Sequence, residues 1–331
     1  MAIPRSRSYV GIAKETRPAA GSAPTAVAAT DYIPFTSINV LDNIRYLDDK
    51  GIRGSMTEEF DVVQGNYHAE VDLTGDVYPD TIGYILSGVL GEVATTGASA
   101  PYTHAFNLLN SQASNGQPTT FTISDYYGLG TASTRQFAGC QFADIDFKFT
   151  ADGLLTYTAK AMAYKSATAA NPTPSFSTVT PVPAWSATVS LNGSTSALIA
   201  DGNCNIARPV TPIFTIDGNQ APYQLFAGPL TVSGSLKLVF ESDTELSLYL
   251  NNTKPVLSLD WTQGAGAAAV EVKLNMSKCA FTVAKIDRSK DFVELDVTYK
   301  ALANTTDIGT SGGYSPIKVT LKNAKASGTY A

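Results

Sequence analysis

Histidine is almost missing from this chain of 331 residues, which has only two, and charged residues make up only 16% of it. Cysteine is scarce as well. Cys140, Cys204 and Cys279 are an odd number with no close pair, so neither a disulfide framework nor a Cys-x-x-Cys metal site is indicated. Such thiols fit a reducing compartment. No run comes near the roughly 18 consecutive apolar residues of a membrane-spanning helix, so no membrane anchoring is expected. Residues 1–27 carry Arg5, Arg7 and Arg17 among Ala, Pro, Gly and Ser and lack the apolar stretch of a secretory signal. They have some look of a transit peptide, but Pro4, Pro18 and Pro24 oppose an amphipathic helix, and a flexible or docking arm over residues 1–30 is expected instead. A net charge of −6 speaks against a surface that holds nucleic acid by neutralising phosphates. It leaves open a passage through which nucleic acid slides.

The usual catalytic constellations are missing too. His68 falls on the polar phase of a strand that begins at Tyr67, and His104 sits in a Pro-Tyr-Thr-His-Ala loop. Neither has a neighbouring ligand set, which favours surface or packing roles over metal binding. No Gly-x-Ser-x-Gly elbow is present. Asp48 and Asp49, or Asp144 and Asp146, could be offered as a carboxylate pair for glycoside hydrolysis or a cation. However, Cys140 and Phe142 precede Asp144 in its own phase, whereas Ile145, Phe147 and Phe149 follow in the other. The strand is therefore expected to switch its buried face at a bulge and to turn both aspartates to water. Gly128-Leu129-Gly130 lacks the third glycine and the following helix of a phosphate cradle. Sequons at Asn192, Asn251, Asn275 and Asn304 read as turn and strand residues. No catalytic, cofactor-binding or metal-binding residue is assigned, and no cofactor is expected.

What the chain does have is strand material. Hydrophobic residues reach 44%, in short β-branched and aromatic runs separated by Gly, Ser, Thr and Asn, a balance that favours strands and turns. Tyr67, Ala69, Val71 and Leu73 alternate with His68, Glu70, Asp72 and Thr74, the period of a half-buried strand. Pro79-Asp80-Thr81 then offers an N-cap. Ile82, Ile85, Leu86, Val89 and Leu90 follow at helical spacing, predicting a short amphipathic helix stopped near Gly88 to Gly91. The pattern recurs at a constant offset of 163 residues: Gly65 falls on Gly228, Leu73 on Leu236, and Asp80-Thr81 on Asp243-Thr244, ahead of Leu246, Tyr249 and Leu250. A second correspondence follows in the same order. Cys140-Gln-Phe142 matches Cys279-Ala-Phe281, and the endings Lys160-Ala-Met-Ala163 and Lys300-Ala-Leu-Ala303 are nearly identical.

These matches predict an internal duplication in a mainly β protein: related β-sandwich or half-barrel units over 31–170 and 184–325, each with one short helix. The Pro-rich segment 171–183 reads as an extended linker, and 326–331 as a C-terminal tail. Residues 92–118 are expected to be a long polar loop, suited to pairing with a neighbouring subunit.

The stretches 62–90, 119–165, 228–260 and 270–303, together about half the chain, resemble the tail tube proteins of long-tailed, non-contractile bacteriophages (siphophages). The likeness lies in the order of elements: a Gly-initiated long strand, an Asp-capped short helix, a Cys/Phe strand, and a strand ending in Lys-Ala-hydrophobic-Ala. It implies a structural virion protein and not an enzyme. It also implies assembly in the bacterial cytoplasm into stacked rings, with inner sheets joined as a barrel around a lumen that phage DNA crosses without specific binding. Other tail proteins would be partners at the tube ends. Two units per chain favour a trimeric ring of sixfold appearance, with a true hexamer as the competitor. Residues 1–30 and 92–118 are the expected stacking segments. A carbohydrate-binding module, using Tyr126, Tyr127, Trp185 or Trp261 as stacking platforms, is the alternative from another class.

Overall fold

A computed structural model describes residues 3–128 and 133–331. The first half of the chain forms β1 (Tyr9–Glu15), β2 (Asp31–Ile33), a long hairpin of β3 (Ser37–Asp49) and β4 (Asp61–Asp76), and helix α1 (Ile82–Leu90). It continues with β5 (Gly91–Thr96), β6 (Tyr102–Leu108), β7 (Thr120–Tyr126), β8 (Thr134–Thr150), β9 (Thr156–Ala163) and β10 (Ala167–Ala169). The second half opens with β11 (Ala187–Leu191), β12 (Ser194–Ser196), β13 (Ile199–Ala207), β14 (Val210–Ile213), β15 (Gln224–Ala227) and β16 (Thr231–Val239). Helix α2 (Thr244–Leu250), β17 (Leu257–Gln263), β18 (Val270–Met276), β19 (Cys279–Asp287), β20 (Glu294–Ala301) and β21 (Lys318–Asn323) complete it.

The strands build a large antiparallel sheet whose main path runs β3-β4-β9-β8-β13-β16-β20-β19, and a smaller one in the order β12-β11-β17-β18-β21-β6-β5. They face each other across one hydrophobic core as a sandwich, and neither closes into a barrel. Both sheets run through both halves of the chain: β8 pairs with β13 in the first, and β6 with β21 in the second. Strand β8 can serve several neighbours because it bends. Its first part pairs with β7 and β10, and its second part with β9 and β13. The pairing with β9 shifts register between Phe142 and Asp144, as the change of hydrophobic phase predicts. Cys140 and Phe142 are buried before the bulge, and Ile145, Phe147 and Phe149 after it.

Helix α1 has the expected limits, closed by Gly91 at φ 89°, a left-handed conformation that glycine adopts without strain. It is not amphipathic. All nine of its residues are buried, because chain from both ends of the sequence covers what would be the outer face. Tyr330, only 1% exposed, donates its hydroxyl to Asp80 O at 2.6 Å, and its carbonyl accepts from Ser87 Oγ at 2.7 Å. A Cβ at Gly83 would stand 2.7 Å from the Tyr330 ring, so the ring takes the place a side chain would need. The Thr81 N-cap makes no side-chain capping bond. Helix α2 buries only Leu248, and Ser242 Oγ accepts from Thr244 N at its start.

Three expected segments take a different form, and a fourth, the extended stretch 171–183, is packed against the chain. The N-terminal arm is held in the sheet: β1 pairs along its whole length with β7, and Val10, Ile12 and Ala13 are fully buried. Residues 1 and 2 of that arm lie outside the described residues. The polar loop over 92–118 contains the β5–β6 hairpin, with Phe106 and His104 in the interior. The C-terminal tail is keyed to α1 by Tyr330, and the segment 171–183 runs extended against the first half, Val182 bonding to Val77 O and Leu155 N. Short strands of small or polar residues bury their sides only through distant partners, and a local pattern carries little sign of them.

Candidate assembly surfaces

The face of the large sheet that points away from the core is a polar ladder. Lys160 of β9 lies opposite both Asp72 of β4 and Asp144 of β8. Lys148 approaches Asp146 at 3.6 Å, and Asn203 Nδ2 donates to Asp146 Oδ1 at 2.9 Å. Asp296 of β20 is flanked by Lys237 of β16 and Lys285 of β19. Thr158, Ser233, Ser235 and Thr298 fill the positions between. Each of these lysines thus has a carboxylate neighbour, which leaves no unbalanced cationic strip of the kind that binds phosphates.

The main path of this sheet ends at two edges. Among the described residues, β3 pairs only with β4 and β19 only with β20. An unpaired row of backbone N–H and C=O groups is a template for another strand. Next to the first edge, the β3–β4 hairpin runs on with apolar side chains uncovered. Tyr46 is 61% exposed, Val62 49% and Val63 57%, while Ile52 and Met56 at the tip are fully exposed. Around them stand Asp48, Asp49, Glu58, Glu59 and Asp61. The apolar residues scattered in this acidic stretch are the sequence signal for the surface, and they follow neither the period of a buried strand nor that of a helix.

The third feature is a groove of about 1100 Å³ at the junction of the β6 end, the β16 start and the β20 end. Arg208 lies in its wall with the side chain buried, donating to Gly228 O at 2.9 Å, to Val89 O at 3.5 Å and to Gly116 O. No carboxylate pairs with it among the described residues, and burial, with Arg17 nearby, lowers its pKa to about 10. Leu302, Tyr314 and Pro316 supply apolar surface.

The residues weighed for chemistry are dispersed. His68 lies on the polar face against Glu70, 3.2 Å away, whereas His104 is buried in β6 between Thr95 Oγ1 and the Asn323 and Lys325 oxygens. Burial lowers the His104 pKa, so it is neutral and structural. Burial raises the Asp144 carboxyl above its ordinary value, with Lys160 opposing. The two buried thiols Cys204 and Cys279 are pushed up to about 12, which leaves them protonated and inert. Asp48 and Asp49 belong to the hairpin tip, and Leu129 and Gly130 lie outside the described residues. The sequon residues Asn275 and Asn304 spend their amides on buried Asp307, at 2.8 and 2.9 Å. Trp261 is core, donating to Ala184 O, while Trp185 is exposed on its own and Tyr126 stacks on Tyr9. Among the described residues no group of His, Cys, Asp and Glu could hold a metal, and no helix is long and apolar enough to cross a membrane.

A family model described as phage tail tube protein matches residues 5–315, nearly the whole chain. The chain belongs to the phage tail tube protein family. No curated protein matches it. As a tail tube protein it is a structural component of the virion tail, from a family of self-assembling tube subunits and not of enzymes.

Proposed function

We propose that this chain is the major tube subunit of a long non-contractile tail, assembled in the host cytoplasm, and that three copies form each ring. The observation that carries the reading is the strand order. β3-β4-β9-β8 and β13-β16-β20-β19 are two four-strand sets of the same connectivity, each with a helix after its second strand, joined edge to edge by β8 and β13. The junction repeats between chains when β19 of one copy takes β3 of the next, which consumes both free edges. Three chains of eight path strands give about 24 strands; at about 4.8 Å each the wall is about 115 Å around, a backbone diameter of nearly 40 Å before tilt. That is wide enough for duplex DNA. Lining the lumen with the polar ladder sets Lys148, Lys160, Lys237 and Lys285 beside carboxylates, so passing phosphates meet little uncompensated positive charge and DNA slides. Residues 31–170 and 184–325 are then two lumen-lining units, with 171–183 as the strap between them. Tape-measure and terminator proteins are the partners at the tube ends.

Negative-stain microscopy of the purified protein at rising concentration tests this reading. Rings and stacked tubes are expected. A chain that stays monomeric at all concentrations and with tail extracts would contradict it.

A further inference from the structure

The two four-strand sets differ in what becomes of the connection between their first two strands. In the second set, that connection carries β14 and β15, which fold back over the neighbouring first set and contact β8. Leu225 and Ala227 are buried there, at 3% and 2% exposure. Arg17 donates to Leu225 O at 2.7 Å, and Gln117 exchanges two hydrogen bonds with Ala227, at 2.9 and 3.0 Å. At its far end Gln220 O accepts from Tyr67 N at 3.1 Å, and Gln220 Nε2 donates to Gln64 O at 2.7 Å. Tyr164, which follows Ala163, lines a small pocket with Gln224 and Leu225.

In the first set the same connection is the exposed β3–β4 hairpin tip. At the offset of 163 residues, buried Leu225 corresponds to exposed Val62, and Gln220 to Thr57. The surfaces under β14–β15 also have counterparts: Gln64 and Tyr67 correspond to Ala227 and Leu230, and the end of β9 at Ala163 to the end of β20 and the two residues after it, Leu302 and Ala303. Leu230, Lys300, Leu302 and Ala303 line the 1100 Å³ groove. The second set therefore has an open groove where the first has an occupied seat, and the first has an uncovered hairpin where the second has a docked one. Charge agrees with this exchange. Lys50 and Arg53 of the tip already pair with Glu58, Glu59 and Asp49, and Lys50 also feels Asp48, so the acidic groups of the tip outnumber its cations and Asp61 has no ion pair among the described residues. The groove offers Arg208 and Lys300, neither paired with a carboxylate among those residues.

We propose that the groove on the second half of one copy seats the β3–β4 hairpin tip of another copy, as β14–β15 is seated within the chain. This rests on the ring reading, since β19 beside a neighbour's β3 brings the tip across the β19 and β20 ends to the start of β16. The ring joint is then doubled, with a strand pair in the wall and an apolar and charged plug outside it.

The test is a Thr57→Cys, Leu230→Cys double variant treated with a short bis-maleimide after assembly, the native thiols being buried. Covalent dimers and trimers are expected, absent from either single variant. Replacing residues 52–58 by a short turn is expected to raise the concentration needed for assembly at least tenfold while leaving the monomer's thermal melt unchanged. Rings that form without the cross-link, or a shortened hairpin that assembles like the parent chain, would overturn the seat and leave the ring reading standing. Failure of the parent chain to assemble would overturn both.

Discussion

Tyr330 shows how one side chain can decide the environment of a whole element. Its ring fills the space above Gly83, meets Tyr84 edge-on at 5.1 Å, and caps a helix that then has no wet face. Gly83→Ala is expected to cost about 1–3 kcal/mol in denaturant unfolding by overpacking. Tyr330→Ala is expected to cost about 3–5 kcal/mol through the cavity it leaves. Glu92 gives a pH signature. Burial by itself would raise its pKa, but bonds from Ser311 and Thr310 outweigh that and hold it below the ordinary carboxylate value. A lowered folded pKa means that its stabilisation is complete above the ordinary value of 4.5 and is lost as pH falls through the folded one. Glu92→Gln should therefore lower stability by about 1–3 kcal/mol at neutral pH, with a loss that shrinks in acid melts. The three cysteines should resist a thiol reagent in the native protein and all react in denaturant.

Among the elements, what could be read from the chain depended on whether its determinants are local. The limits of α1 follow from its spacing and Gly91, and the β8 bulge from a phase change within six residues around Phe142 and Asp144. The burial of α1 could not be read, since Tyr330 lies about 240 residues away from it and its role depends on chain folding back. β1 and β6 were missed for the same reason: Val10 and Ile12 have too few neighbours in phase, and His104 is buried by contacts with Asn323 and Lys325. The assembly surfaces were least legible. An exposed apolar residue such as Met56 has meaning only once the fold shows that nothing in its own chain covers it. Val62→Thr with Val63→Thr should leave the melt of the monomer within about 0.5 kcal/mol of the parent and weaken assembly.

For the whole molecule, the β class was visible in the sequence, and the continuity of the sheets was not. Strands β8 and β13 pair through residues more than fifty positions apart, and β6 and β21 through residues more than two hundred apart. No local period reports such pairings. Their consequence is a single continuous sheet in which both halves present the polar ladder, so a second half placed outside the tube wall as decoration would have to break β8 from β13. The most direct measurement is a cryo-EM reconstruction of a ring or tube, refined without imposed symmetry, counting chains and wall strands. Three chains around the axis, with β19 of each paired to β3 of the next, is the expected result. Six chains around the axis, or a wall formed by only one half of each chain, would contradict it.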